Sequence, residues 1–225
     1  MAAVAVLIPL LAACATPVGP AGPAAQPDPA SPASASPAPP ETEVVGQGTV
    51  LEDADGTRLC LGGVMESYPP QCSGVPLTGW SWDGVPGSET AEGVTWGAYA
   101  VQGTYDGEAI AVTQEPVLLA LYDPMMAPDP TGGEPGESSE DELLEVQEDI
   151  HTSMGDDILA SAAQNGWLWV DVVWDDGSIQ QAVDAAYGEG VVVVRSALRA
   201  LEASESEPAQ LLGVPLPLLR HTHVQ

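Results

Sequence analysis

Gly48-Thr-Val-Leu51, Arg58-Leu-Cys-Leu61, Val75-Pro-Leu-Thr-Gly-Trp80, Trp96-Gly-Ala-Tyr-Ala-Val101 and Ala109-Ile-Ala-Val-Thr113 decide the fold class. Each is a short run carrying β-branched, aliphatic or aromatic residues, and Gly, Pro or Asp bounds it, which is the pattern of a strand between turns. Asp55-Gly56 and Asp106-Gly107 fall among these runs. Such dipeptides favour type I′ hairpin turns, because Gly accepts positive φ without a Cβ penalty. About 70 residues in five strands, with no helix needed, predict a small antiparallel β-barrel over residues 44–116. An OB-like and an SH3-like order are both compatible with these marks, and a small sandwich would leave similar ones.

Reading outward towards the C-terminus, residues 117–138 carry Pro124, Pro128, Pro130 and Pro135 with a Gly132-Gly133 pair, and predict a connecting loop. At Ser139 the period becomes helical. Ser139 and Glu142 stand at capping-box spacing, Leu143, Val146, Ile150 and Met154 share a face, and Gly155 can cap the end. A second helical piece is expected over 157–163 before Asn165-Gly166 turns the chain. Trp167 to Trp174 alternates as a strand, with Leu168, Val170, Val172 and Trp174 on one face and Trp167 and Trp169 on the other. Ser178 to Tyr187 fits a short helix and Val191 to Val194 a buried strand. The last two strands can pair in parallel through a short crossover, or antiparallel through an irregular excursion. Residues 139–202 are thus expected to form a small α/β unit of order helix, strand, helix, strand, and 203–225 a disordered tail. The fold class is α+β.

Towards the N-terminus, residues 15–43 hold nine prolines among Ala, Ser and Gly, and show no apolar period. Such a stretch reads as a PPII-like linker with an extended limit of roughly 90 Å, at about 3.1 Å per residue. Before it, Ala2 to Ala13 is almost wholly apolar, yet shorter than the roughly 20 residues a spanning helix needs. It has the size of a signal-peptide apolar region. The stretch ends in Leu11-Ala-Ala-Cys14.

That run resembles a bacterial lipobox. With Leu59-Cys-Leu-Gly62, Ser67-Tyr-Pro-Pro-Gln-Cys72-Ser-Gly74, and Trp96-Gly-Ala-Tyr99 leading to Gly103-Thr-Tyr-Asp-Gly107, it makes the chain similar to lipoproteins of the actinobacterial type. The resemblance implies that 1–13 is a cleaved signal peptide and that Cys14 is the lipid-attachment residue, followed by the linker through residue 43. The protein would then be extracytoplasmic and anchored to the cell membrane by lipid. No Lys or Arg precedes the apolar run, a departure from such signals that points to a start further upstream. With Cys14 acylated, Cys60 and Cys72 remain as a disulfide pair, worth about 3 kcal/mol by loop closure. Two buried free thiols are the alternative, and zinc is disfavoured because no histidine lies near either residue. The likeness carries no catalytic residue.

Composition limits the partners. The chain has 33 acids against four arginines (Arg58, Arg195, Arg199 and Arg220), no Lys, and a formal charge of -29. Phosphate backbones require clustered cations, so nucleic acid is excluded as a partner, as is attraction to an anionic bilayer surface. Stable attachment to the lipid bilayer therefore falls to the acyl chains on Cys14.

Candidate chemistry is sparse. Ten carboxylates stand between Glu134 and Asp157, but they follow a helix and form no D-x-[DN]-x-[DN]-G loop, so a solvated face explains them better than a cation site. Trp80, Trp82 and Trp96 are read as core aromatics in a chain without Phe. Trp167 and Trp169 are the candidate ligand platform, suited to an envelope glycan or protein. His151 lies in the acidic helix, and His221 and His223 lie in the tail. No G-x-S-x-G elbow, G-x-G-x-x-G loop or P-loop is present. Neither metal nor cofactor is expected. A non-catalytic binding or interaction module is the first expectation, and an extracytoplasmic hydrolase the second.

Overall fold

The computed structural model describes residues 32–201. Cys14, the signal-like segment, most of the linker, His221 and His223 lie outside the described residues.

Among the described residues, eleven strands and two α-helices follow one another. β1 (Val44–Asp53), β2 (Gly56–Cys60), β3 (Val75–Thr78), β4 (Glu89–Ala91), β5 (Val94–Tyr105), β6 (Ile110–Val112) and β7 (Val117–Leu118) precede α1 (Glu140–Met154). Then come β8 (Ile158–Gln164), β9 (Trp167–Val172), α2 (Ser178–Tyr187), β10 (Val192–Ser196) and β11 (Arg199–Ala200).

The five expected strands are present as β1, β2, β3, β5 and β6, and they close a barrel in the ring order β1-β2-β3-β6-β5-β1. The barrel is mixed rather than antiparallel, because β3 and β6 run parallel. The reason is parity: strand directions can alternate all the way round a closed ring only when the strand number is even. Five strands leave one parallel joint, and it falls where β6 closes on β3. The long strands β1 and β5 pair over nine positions, Val44 with Gly103 through Glu52 with Thr95, and bend around the core. A Cβ at Gly48 would overlap the Cys60 carbonyl, and one at Gly103 the Ala111 carbonyl, so glycine permits the close approach of neighbouring strands there. Val50, Leu59, Val75, Leu77, Tyr99, Val101 and Ile110 fill the interior.

Asp55-Gly56 and Asp106-Gly107 do turn the chain, but not as type I′ pairs, since only the glycines have positive φ (113° and 102°). Asp106 instead accepts hydrogen bonds from the Glu108 and Ala109 amides, which holds its carboxyl below the usual carboxylate range. Positive φ at both positions occurs in Glu92-Gly93, which joins β4 to β5, and in Asn165-Gly166, which joins β8 to β9.

The second sheet has the order β10-β9-β8. β9 and β10 are parallel, Leu168 opposite Val192, and α2 makes the crossover. Residues 158–163, predicted helical, belong to β8. Alanine-rich sequence favours a helix, but the tight Asn165-Gly166 turn delivers the segment antiparallel onto β9, and sheet pairing overrides propensity. α1 carries the predicted capping box: Ser139 Oγ accepts from the Glu142 amide, and Glu142 accepts from the Ser139 amide. Its Leu143, Ile150 and Met154 pack with Leu168, Val170, Val172, Ile179, Val183 and Val192 as a second core. Tyr187 on α2 donates to Asp149 on α1 at 2.6 Å; burial, then that contact, pushes its phenol up to about 12. The open edge of β10 is satisfied by Gln180 of α2, whose amide donates to Val192 O and accepts from Val194 N at 3.0 and 2.8 Å.

Two features join the units. Leu198, wholly buried, enters the barrel core, and β11 pairs with β1. Residues 32–43, assigned above to the linker, are folded onto the body: the 3-10 turn Pro32–Ser34 contacts both α1 and α2, and Pro32 is buried. No described helix is long and apolar enough to cross a membrane.

Candidate functional site

The period of β9 places Trp167, Trp169 and Asp171 on the sheet face away from the second core, each only partly covered. The parallel register sets Asp171 opposite Arg195, and the pair is bidentate, Nε to Oδ1 at 2.7 Å and Nη2 to Oδ2 at 2.9 Å. The guanidinium also lies over the Trp169 ring, 4.9 Å from its centroid, a cation–π arrangement. Carboxylate and indole thus fix Arg195 from two sides. The connecting loop passes in front of this face. Asp129 there binds the Thr131 amide and hydroxyl at 2.9 and 2.6 Å, and the hydroxyl contact leads in lowering its carboxyl. Between loop and sheet is a recess of about 290 Å³, bordered by Trp169, Arg195, Asp129, Thr131, Gln164 and Asn165.

Trp167 does not share this recess. Its Nε1 donates to Glu134 O at 3.0 Å, Gly136 packs against its ring, and it borders a separate hollow with Tyr187 and Glu189. The two tryptophans share a strand face but open onto different concavities. Trp80, Trp82 and Tyr99 form an aromatic cluster with centroids 5.1 to 6.1 Å apart, packed against the barrel core. Trp80 and Trp82 stand on the loop beyond β3, which ends at Thr78 rather than at Trp80. Trp96 meets Tyr68 edge-on at 5.5 Å.

Cys60 and Cys72 form a disulfide with Cα atoms 6.0 Å apart. It holds the loop after β2, where Met65 pairs with Gln71, and where Met65 and Tyr68 are 64% and 73% exposed. Between this loop and the start of β8 runs a cleft of about 680 Å³, bordered by Gly62, Gln71, Ser73, Tyr105, Asp156 and Leu159. Its charged walls, Glu108 and Asp156, are both acidic.

One contact has the form of a nucleophile and base. Ser161 Oγ on β8 lies 2.7 Å from His151 Nε2 on α1 and accepts from Gln147 Nε2 at 2.6 Å. Each of the three described arginines is engaged: Arg58 with Asp53, Arg195 with Asp171, and Arg199 with Met126 O. Among the described residues no group of three His, Cys, Asp or Glu side chains converges as for a metal ion.

Sequence reasoning finds Trp169 but passes over Arg195, Asp171, Gln164 and Asn165. The two-residue period in both strands marks their faces, yet only the parallel register shows that Asp171 meets Arg195. His151 stands out in the sequence as the histidine of the acidic helix, but nothing there pairs it with Ser161. No family model, curated protein or solved structure matches this chain.

Proposed function

We propose that the protein is an extracytoplasmic lipoprotein, held to the cell membrane by acyl chains on Cys14, whose folded body is a non-catalytic binding module for an envelope glycan. The anchoring half rests on Leu11-Ala-Ala-Cys14. The binding half rests on the recess at Trp169, where an indole, a fixed guanidinium, a carboxylate and two side-chain amides border one concavity. Sugars present apolar ring faces edged by hydroxyls, and an aromatic beside several hydrogen-bonding groups is the complementary arrangement. We read the barrel as OB-like, on its five strands and its closure of β1 onto β5. Barrels of that class take oligonucleotides or oligosaccharides. The charge of -29 disfavours the former.

Retention of the detergent-solubilised full chain on purified cell-wall polysaccharide tests the binding half. Trp169→Ala should abolish retention while Trp96→Ala preserves it; equal retention by both refutes the site. Replacing Cys14 by Ser in the native gene should release the protein from the membrane fraction, and continued attachment refutes the anchor.

A hydrolase is the second reading, favoured by the His151–Ser161 contact. Ser161 Oγ already accepts from Gln147, which withdraws electron density from a would-be nucleophile. Covalent labelling of Ser161 by a fluorophosphonate would establish the hydrolase over the binding module.

A further inference from the structure

One of the chain's own proline-rich segments is seated on the folded body. Residues 32–38, Pro-Ala-Ser-Ala-Ser-Pro-Ala, lie at the junction of the barrel and the α/β unit, although they carry no large apolar side chain. What holds them is specific. The Ala38 amide donates to Asp176 Oδ2 at 2.9 Å, and the Ala38 carbonyl accepts from Trp174 Nε1 at 2.9 Å. Both backbone groups of a single residue are therefore captured by side chains more than 130 positions away in the sequence. Asp176 is spoken for in the same way, since hydrogen bonds from Ser178 and the Ala38 amide hold its carboxyl below the usual range. Upstream, Pro32 is buried and Ala35 packs against the second core.

These are the elements by which grooves read extended proline-rich peptides: an aromatic indole donating to a backbone carbonyl, small hollows for Pro and Ala, and no use of charged side chains on the ligand. The groove is not filled. A cavity of about 300 Å³ remains beside residues 32–37, bordered by Tyr105, Trp174, Met154, Asp156 and Asp157. Its charged border is acidic, so a segment carrying Lys or Arg next to its prolines fits it better than the uncharged cis segment does.

We propose that this groove is a binding site for Pro/Ala-rich segments, occupied in cis by residues 32–38, a 3-10 turn followed by the non-helical stretch that Trp174 and Asp176 hold, and open to displacement by a proline-rich partner segment with a flanking cation. The cis segment acts at an effective concentration of about millimolar, as a short tether gives, so a partner must gain from the acidic border what the tether supplies to the cis segment. A second copy of this chain is disfavoured by its charge of -29. The proposal is independent of the lipid anchor and of the Trp169 recess.

The test uses the full chain and its six indole N–H resonances, with Trp174 assigned through Trp174→Phe. Ala35→Asp with Ala38→Pro empties the groove from the ligand side, leaving the body untouched, and circular dichroism checks that it stays folded. The Trp174 resonance should move in this double variant. A synthetic peptide of residues 31–40 should then return it to its wild-type position, and the peptide extended by two lysines should bind at least threefold more tightly at low salt, where screening is weak. Wild-type chain should bind either peptide at least tenfold more weakly, because the cis segment competes. Asp176→Asn should weaken binding in the emptied chain. An unmoved Trp174 resonance in the double variant, or no saturation by either peptide at millimolar concentration, overturns the proposal. Concentration-dependent dimerisation of the wild-type chain, abolished by Ala38→Pro, also overturns it, in favour of segment exchange between copies.

Discussion

The disulfide supplies the prediction whose magnitude the structure fixes best. Cys60 and Cys72 are 12 positions apart, and Cys60 is 2% exposed in β2 of the barrel. Cutting the bridge frees the loop mainly in the unfolded chain, and for a closed loop of this length the entropy gained there costs about 3 kcal/mol at 25 °C. Cys72→Ser is the cleaner perturbation, because the thiol left at Cys60 remains a small apolar group in place. For an unfolding slope of about 2 to 3 kcal/mol per molar urea, the midpoint should fall by about 1 to 1.5 M, followed by tryptophan fluorescence. Reduction of the wild-type chain should give the same fall. A fall under about 0.5 M in both refutes loop closure as the source of stability. A loss well above 5 kcal/mol refutes it in the other direction, since the bridge would then be holding the native barrel closed rather than restraining the unfolded chain.

Gln180→Leu leaves Val192 O and Val194 N without their side-chain partner, and should cost about 1 to 3 kcal/mol in thermal or urea unfolding, against a few tenths for Gln181→Leu on the exposed side. Ser139→Ala removes the acceptor for the Glu142 amide and should cost about 1 kcal/mol, read as a lower unfolding midpoint. Stability should stay level from neutral pH down to the usual carboxylate range. Asp53, held low by Arg58 first, and Asp106, Glu142 and Asp176, held low by their hydrogen bonds, all have folded values below their unfolded ones, near 3.8 for Asp and 4.5 for Glu. Their contribution is complete above the unfolded values and is lost as pH falls through the folded ones, so a midpoint that rises on acidification below pH 4 contradicts the assignment.

The barrel strands are legible because alternation and turn glycines act locally. Residues whose role depends on a distant partner are not. β4 is missed because its turn uses Glu92 at positive φ, where Asn or Asp would have given a signal. β8 is misread because Ile158-Leu-Ala-Ser-Ala-Ala has the composition of a helix, and only its pairing with β9 makes it a strand. That a closed ring of five strands holds a parallel joint follows from arithmetic, whereas its place between β3 and β6 comes from the observed pairing. At the candidate site, Trp169 announces itself as an aromatic on a polar face, whereas Arg195 and Asp171 look like ordinary surface charges until the register brings them together. The seating of residues 32–38 is hidden for the same reason, since Pro and Ala are read as linker and the groups that hold them, Trp174 and Asp176, come from the other end of the chain.

That seating changes the mechanics of the proposed tether. With residues 32–43 seated on the body, that stretch adds nothing to the reach, and the proposed tether is shortened by about 37 Å from an extended limit of roughly 90 Å for residues 15–43. Pro32–Ser34 lies against α1 and α2, on the helical side of the body. That side includes α1, which carries much of the acidic run, so a body anchored as proposed would present acidic surface near the segment that tethers it. A charge of -29 facing an anionic surface would oppose close approach over about 8 Å at physiological salt. Releasing residues 32–38 would lengthen the tether and free the acidic groove in one step. Partner binding at Trp174 and the distance of the barrel from the membrane are then two readings of one equilibrium.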